Sequence, residues 1–249
     1  FDGEPDARQP LRRAALCTRG AARFYMRLRA GLIAPDSLDT RGKLPLCMAQ
    51  YERLFCSSRV PGAGLEADSI VTSTDLRCHV LVGVRGHLFL LRVIDELSSS
   101  GSESPDALDA RVASVEAIEA GLIAILAASV RRPLPCPIAA ATSGKRGAWG
   151  RARAQLVASG GCNASSVEAA EGALFGVTLL DDAPGDEGEL IRSALSGGDG
   201  TSVWFDKSFS FIIHGDGRVG VNIEHAHLDA PITSRMFAFV RVAAGQEKE

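Results

Sequence analysis

"FSFIIHGDGRVGVNIEHAHLDAPITSRMFAFVRV", residues 209–242, reads in order as strand, turn, strand, polar run and helix. Asp216-Gly217 between two apolar runs is a strong short-range hairpin signal, because glycine takes the left-handed turn conformation at no steric cost. The second strand leads into Glu224, His225, His227 and Asp229, packed into six positions, and Pro231 then limits how the backbone can continue. Phe209, Phe211, Phe237 and Phe239 need no explanation beyond core packing.

Upstream, "CHVLVGVRGHLFLLRVI" (78–94) reads as a second hairpin turning at Arg85-Gly86. "VEAAEGALFGVTLLDD" (167–182) reads as a helix followed by a buried strand, with Ser165 three residues ahead of Glu168 as a capping-box start. Residues up to about 30 read as a helix after a loose polar start, with Leu16, Ala21, Phe24, Met26 and Leu28 among arginines. The spacing predicts one long helix from about Asp106 to Val130, after a flexible serine-rich loop at 98–104 and before Pro133, Pro135 and Pro137. A short amphipathic turn is expected near Tyr51–Phe55, a helix within 142–159, and another near Glu187–Leu195. Hairpins interleaved with helices imply an α/β sandwich with a mixed sheet, not a doubly wound parallel one.

The chain of 249 residues is long enough to bury a substantial core, and we read it as a single domain. Its 27 basic and 30 acidic residues leave a net charge of −3, which gives no whole-chain footprint for nucleic acid. The arginines between Arg8 and Arg29 read as an exposed helical face. Six cysteines without a C-x-x-C pair read as reduced, mostly buried thiols, which suits an intracellular compartment. The longest apolar run, Ala120–Val130, is too short to cross a bilayer, so any membrane association would have to be encoded elsewhere. Neither a P-loop nor a dinucleotide-binding glycine fingerprint is present.

Three readings of the polar run compete. As a metal site, His225 and His227 would share one strand face with Asp229, giving ligands of the right chemistry for a metal-dependent hydrolase. As a structural turn, the histidines would be hydrogen-bonded core residues. As a catalytic turn, His225 would be a general base, since imidazole exchanges protons near neutral pH, with Asp229 fixing the ring or its surroundings. The residues alone leave these open.

"IEHAHLDAPI" (223–232) resembles the Glu-His-x-x-x-[Asp/Glu]-[Ala/Gly/Cys] segment of the carnitine/choline acyltransferase family. Five further stretches match that family in order, among them "HVLVGVRGHLFLLRV" (79–93), which resembles the hairpin that follows its upstream signature. "WFDKSFSFIIHGDGRVGVNIEH" (204–225) is similar to its Trp-Phe-Asp-Lys strand and hairpin, and "LPLCMAQYERLFCSSRVPG" (44–62) to its Gln-x-Glu-Arg-x-Phe core and Arg-[Ile/Val]-Pro-Gly turn. "TSGKRGAWGRARAQL" resembles its Trp-x-x-Ala-Arg helix, and 167–182 its next helix–strand unit. The resemblance runs from about Arg8 to Val242 and is closest to the carnitine palmitoyl- and octanoyltransferase branch. The departures are Ala226-His227-Leu228 in place of Ser-Trp-Ala, and Ser202-Val203 in place of Asn-Arg.

The resemblance implies a chloramphenicol-acetyltransferase-like sandwich and transfer of a medium- or long-chain acyl group between coenzyme A and carnitine. His225 would be the general base, and Asp229 would support His225 or its loop. Acyl-CoA and carnitine would be substrates, with no bound cofactor, no metal and no cysteine nucleophile such as Cys56 or Cys162. It implies a mitochondrial or peroxisomal setting. It also implies that 1–249 is one domain of a longer, two-domain acyltransferase whose second half completes the carnitine and CoA contacts. The alternative expectation is a truncated remnant that binds acyl-CoA or a protein without turnover.

Overall fold

In a computed structural model of the chain, residues 9–39, 41, 43–63, 66–73, 77–95, 104–131 and 136–246 are described. A five-stranded sheet organises them in the order β4-β3-β5-β6-β7: His87–Arg92, His79–Val84, Gly176–Leu179, Phe209–Ile213 and Val219–Ile223. β3–β5 and β5–β6 pair in parallel, while β3–β4 and β6–β7 are antiparallel hairpins, so the sheet is mixed. The central strands β5 and β6 are buried at every position, as expected where helices cover both faces.

The two-residue period of the strands sorts side chains between two cores. Val80, Val82, Val84, Phe175, Val177, Leu179, Phe209, Phe211 and Ile213 point into the larger one. There they meet helices α1 (Gln9–Arg29), α3 (Val115–Arg131) and α7 (Ala230–Gln246). Leu81 joins Trp149, Ala170, Ala173 and Trp204 in the smaller core on the other face, under α4 (Arg146–Ala158) and α5 (Asn163–Gly172). On that face Gly83 is required by close approach: a Cβ there would lie 1.8 Å from the Ser202 carbonyl oxygen.

Both expected hairpins are present, but their turns differ. Arg85 and Gly86 both have positive φ (49° and 74°), as a tight two-residue turn needs. At Asp216-Gly217 only Gly217 is left-handed (φ 82°), and His214 N–H donates to Arg218 O, so this is a three-residue loop ending in a glycine bulge. Two strands were not expected. β1 (Ser57–Val60) and β2 (Ser69–Thr72) form a separate antiparallel pair, and Ser58 bridges to Lys207.

The single helix expected over 106–130 is instead α2 (Pro105–Ala110) and α3. The break has two causes. Ser114 caps α3 through the Ala117 N–H, and Arg19 of α1 binds the Val112 and Ala113 carbonyls, which an uninterrupted helix would have used internally. Asp109, the last acidic residue before the break, takes Arg23 and Arg27 at 2.6 Å each. The capping-box start also fails. α5 begins at Asn163, and Ser165 lies inside its first turn, donating to the Cys162 carbonyl. The short helix near 187–195 is α6 (Glu187–Ser196). Residues 98–103 of the serine-rich loop, and Pro133 and Pro135, lie outside the described residues.

Candidate active site

β7 ends at Ile223, and α7 starts at Ala230, so the polar run is the connection between them. The connection leaves the sheet where Glu224 N–H donates to Ser208 O (3.1 Å). Four side chains then point to four different partners. Glu224 Oε1 accepts from Ala226 N–H (2.8 Å) and pairs with Arg59 Nη1 (3.3 Å), which closes the turn against β1. His225 is exposed, and its Nδ1 lies 2.6 Å from the Leu228 carbonyl oxygen. His227 is buried, with Nε2 3.1 Å from Ser208 Oγ. Asp229 Oδ2 accepts from Gln50 Nε2 (2.7 Å), and the Asp229 N–H donates to Gln50 Oε1 (2.8 Å).

A carbonyl only accepts, so His225 Nδ1 carries the ring proton and Nε2 presents a lone pair. A histidine in this state on an exposed loop can take a proton from a hydroxyl or thiol brought to Nε2. Asp229 bonds Gln50, so its hold is on the loop. Gln50 sits in a 3-10 turn, Ala49–Arg53, which overlaps the short amphipathic turn expected near Tyr51–Phe55 and begins two residues before it. The sequence marks it only as part of a motif, since nothing local pairs it with a residue so far along the chain.

The metal reading is corrected by this geometry. The expected shared strand face does not exist, because His225, His227 and Asp229 lie beyond the strand and their side chains diverge to Leu228 O, Ser208 and Gln50. Among the described residues no group of three His, Cys, Asp or Glu side chains is placed to hold a metal ion.

Behind the loop runs a chain of ion pairs not expected from the sequence. Arg59 joins Glu224 to Asp68 (Nε–Oδ2 2.7 Å), Asp68 joins Arg146 (2.6 Å), and Arg146 joins Asp206 (2.5 Å). Asp206 Oδ2 also accepts from Trp149 Nε1 at 2.8 Å. Burial pushes the Asp206 carboxyl up to about 6 despite Trp149 and Arg146. Burial also acts upward on Asp68, but the Gly62 N–H and the arginines hold it below the usual carboxylate range. Arg153 grips Glu171 with two bonds of 2.6 and 2.7 Å, which ties α4 to α5.

Lys207, next along the chain, is fully buried, and its Nζ donates to the Glu171 and Ala173 carbonyls at 2.7 and 2.6 Å. Burial pushes it down to about 7. A neutral amine has two N–H donors, one for each carbonyl. Because the native chain releases this proton far more readily than the unfolded one, stability rises with pH between about 7 and the ordinary lysine value of 10.5. Measured against Lys207→Met by urea unfolding, the wild-type chain is expected to gain about 2 kcal/mol between pH 7 and pH 9. An unchanged difference between the two chains would refute the assignment.

All six cysteines are free, and burial pushes the Cys56 thiol up, away from the thiolate a nucleophile needs. No helix among the described residues is long and apolar enough to cross a membrane.

Comparison with known proteins gives a consistent pattern. The family model described as Choline/Carnitine o-acyltransferase matches residues 1–249. The chain is 32% identical over 265 residues to mitochondrial carnitine O-palmitoyltransferase 2 of Mus musculus, covering 95% of this chain and 37% of that protein. The Homo sapiens counterpart is 32% identical over 264 residues, again 95% of this chain and 37% of that protein. The liver isoform of carnitine O-palmitoyltransferase 1 of Homo sapiens is 33% identical over 205 residues, 79% of this chain and 24% of that protein. The chain therefore spans little more than a third of the length of the carnitine O-palmitoyltransferase 2 relatives and about a quarter of the carnitine O-palmitoyltransferase 1 relative.

Proposed function

Because the chain belongs to the choline/carnitine O-acyltransferase family, we propose that a protein containing it transfers a medium- or long-chain acyl group between coenzyme A and carnitine, with His225 as general base. The observation that carries the reading is the His225 Nδ1–Leu228 O bond, which fixes the ring and leaves the Nε2 lone pair on the exposed side of the loop. His225 Nε2 accepts the proton of the carnitine hydroxyl as its oxygen attacks the thioester carbonyl. The tetrahedral intermediate collapses with expulsion of the CoA sulfur, and the imidazolium returns the proton to it. In the reverse direction the same nitrogen takes the thiol proton of CoA. Transfer is direct, so no acyl-enzyme and no cysteine is needed.

Asp229 and Gln50 hold the end of the loop, and Glu224 with Arg59 holds its start. In this reading 1–249 is the domain bearing the histidine, with a chloramphenicol-acetyltransferase-like arrangement that the mixed sheet supports. The remainder of a longer protein supplies the other wall of the site. The names of the relatives support a palmitoyl-sized chain and a mitochondrial setting.

The test is an assay of the full-length protein with palmitoyl-CoA, following release of the CoA thiol with and without carnitine. The expected result is carnitine-dependent release matched by acylcarnitine. Release without carnitine would overturn the acceptor, and no release at all would favour a binding remnant.

A further inference from the structure

His227 occupies a position that the proposed reaction does not use, yet it is one of the most constrained side chains near the site. It is 6% exposed, and its Nε2 faces Ser208 Oγ. That hydroxyl also lies 2.9 Å from Arg53 O and 3.1 Å from Ser57 O, both of which can only accept. Ser208 has one hydroxyl proton, and it serves the carbonyls. Its Oγ therefore accepts from His227, and His227 carries its proton on Nε2. The Nδ1 is then the bare nitrogen, and it is buried with no hydrogen-bond partner among the described residues.

Ser208 thus holds the loop at two points: its carbonyl takes Glu224 N–H, and its hydroxyl takes the His227 ring. His225 lies between those points. The residue after His227 is Leu228, itself 2% exposed, whose carbonyl fixes the His225 ring.

We infer that His227 is a positioning residue for His225: as the neutral Nε2–H tautomer it pins the loop to Ser208 and so places the Leu228 carbonyl that holds the His225 ring. This builds on the role proposed for His225, although the pin itself does not depend on turnover. A second proton would have to sit on Nδ1, where the described residues offer no acceptor. Arg53, Lys207 and Arg59 would repel the resulting charge, and Glu224 would attract it. Burial, the largest influence, holds His227 below its ordinary value. A histidine with a lowered folded value contributes stability above its unfolded value and loses it as pH falls below that value. The pin is therefore a neutral-pH device.

The experiment reads ring nitrogens by long-range ¹H–¹⁵N correlation in the full chain, with histidines assigned by single His→Gln variants. The expected spectrum has Nδ1–H at His225 and Nε2–H at His227, with His227 protonating below the ordinary histidine value. In His227→Gln the side-chain amide still donates to Ser208, and His225 keeps Nδ1–H. In His227→Leu the His225 ring moves toward the tautomer mixture of free imidazole. In the full-length protein, His227→Leu then lowers kcat on the order of tenfold with KM nearly unchanged, the scale of one positioning hydrogen bond.

An Nδ1–H signal at His227, or loss of Nδ1–H at His225 in His227→Gln, overturns the inference. The same holds if the His225 ring is unaltered in a folded His227→Leu chain. The wild-type and glutamine spectra decide the matter even if the leucine chain does not fold. Failure of the general-base reading looks different: the tautomers are as expected, but turnover survives loss of His225.

Discussion

Replacing His225 with alanine in a full-length protein is expected to lower kcat for acyl transfer by about 10²–10⁴-fold, the usual contribution of a positioned general base. The carnitine hydroxyl is a poor nucleophile until its proton leaves, and the alanine loop offers nothing to receive it. The ring is exposed and makes one hydrogen bond to its own loop, so the cost to folding is small, within about 0.5 kcal/mol. The diagnostic pattern is therefore lost turnover with unchanged thermal unfolding and with KM for acyl-CoA little altered. Turnover within a few fold of wild type would remove His225 from the mechanism. A large fall in unfolding temperature would mean that the residue is structural.

Asp206→Ala is expected to act on the opposite quantity, lowering unfolding free energy by about 3–5 kcal/mol. The Asp206 side chain is 3% exposed and receives both Arg146 Nη1 and Trp149 Nε1. Removing it strands an indole N–H in the smaller core and part of a guanidinium beside it, and each unpaired donor costs its desolvation in full. The size of the effect measures the stranded partners and not the net worth of the pair. Burial is the largest influence on this carboxyl and pushes it upward, with the Glu224 charge adding to it, so holding the charge inside is itself expensive. Asp206→Asn keeps one acceptor and should fall between wild type and alanine. Urea unfolding at constant m-value reads the difference, and a loss below about 1 kcal/mol for the alanine chain would contradict this account. Because Arg146 and Asp68 connect Asp206 to Arg59 and Glu224, the alanine chain should also lose activity beyond what its unfolded fraction explains.

Much of the architecture is legible in the sequence. Gly86 and Gly217 marked both hairpins, because a turn is a local event and glycine is the residue that permits it. The apolar run through Val177 marked β5, and the interleaving of hairpins with helices implied a mixed sheet. β1 and β2 were missed: "SSRV" and "SIVT" carry little apolar signal and exist as strands because they pair with each other. The helix across 111–114 was overpredicted because its local propensity is sound, and the interruption comes from Arg19, which lies 93 residues before Val112.

The same division holds at the site. By itself the sequence determined that His225 follows a hairpin strand, that small and acidic residues come after it, and that the ordered motifs are those of one acyltransferase family. Each of those facts lives in neighbouring residues or in their order. Only the tertiary structure decided which partner each polar residue takes. Asp229 looked like a partner for the His225 ring, but its side chain bonds Gln50, 179 residues away. His227 looked like a second ligand, but it turns inward to Ser208, 19 residues back. Hydrogen bonds are short and directional, so their partners are chosen by where the folded chain brings donors and acceptors within about 3 Å. Distance along the sequence carries almost none of that information.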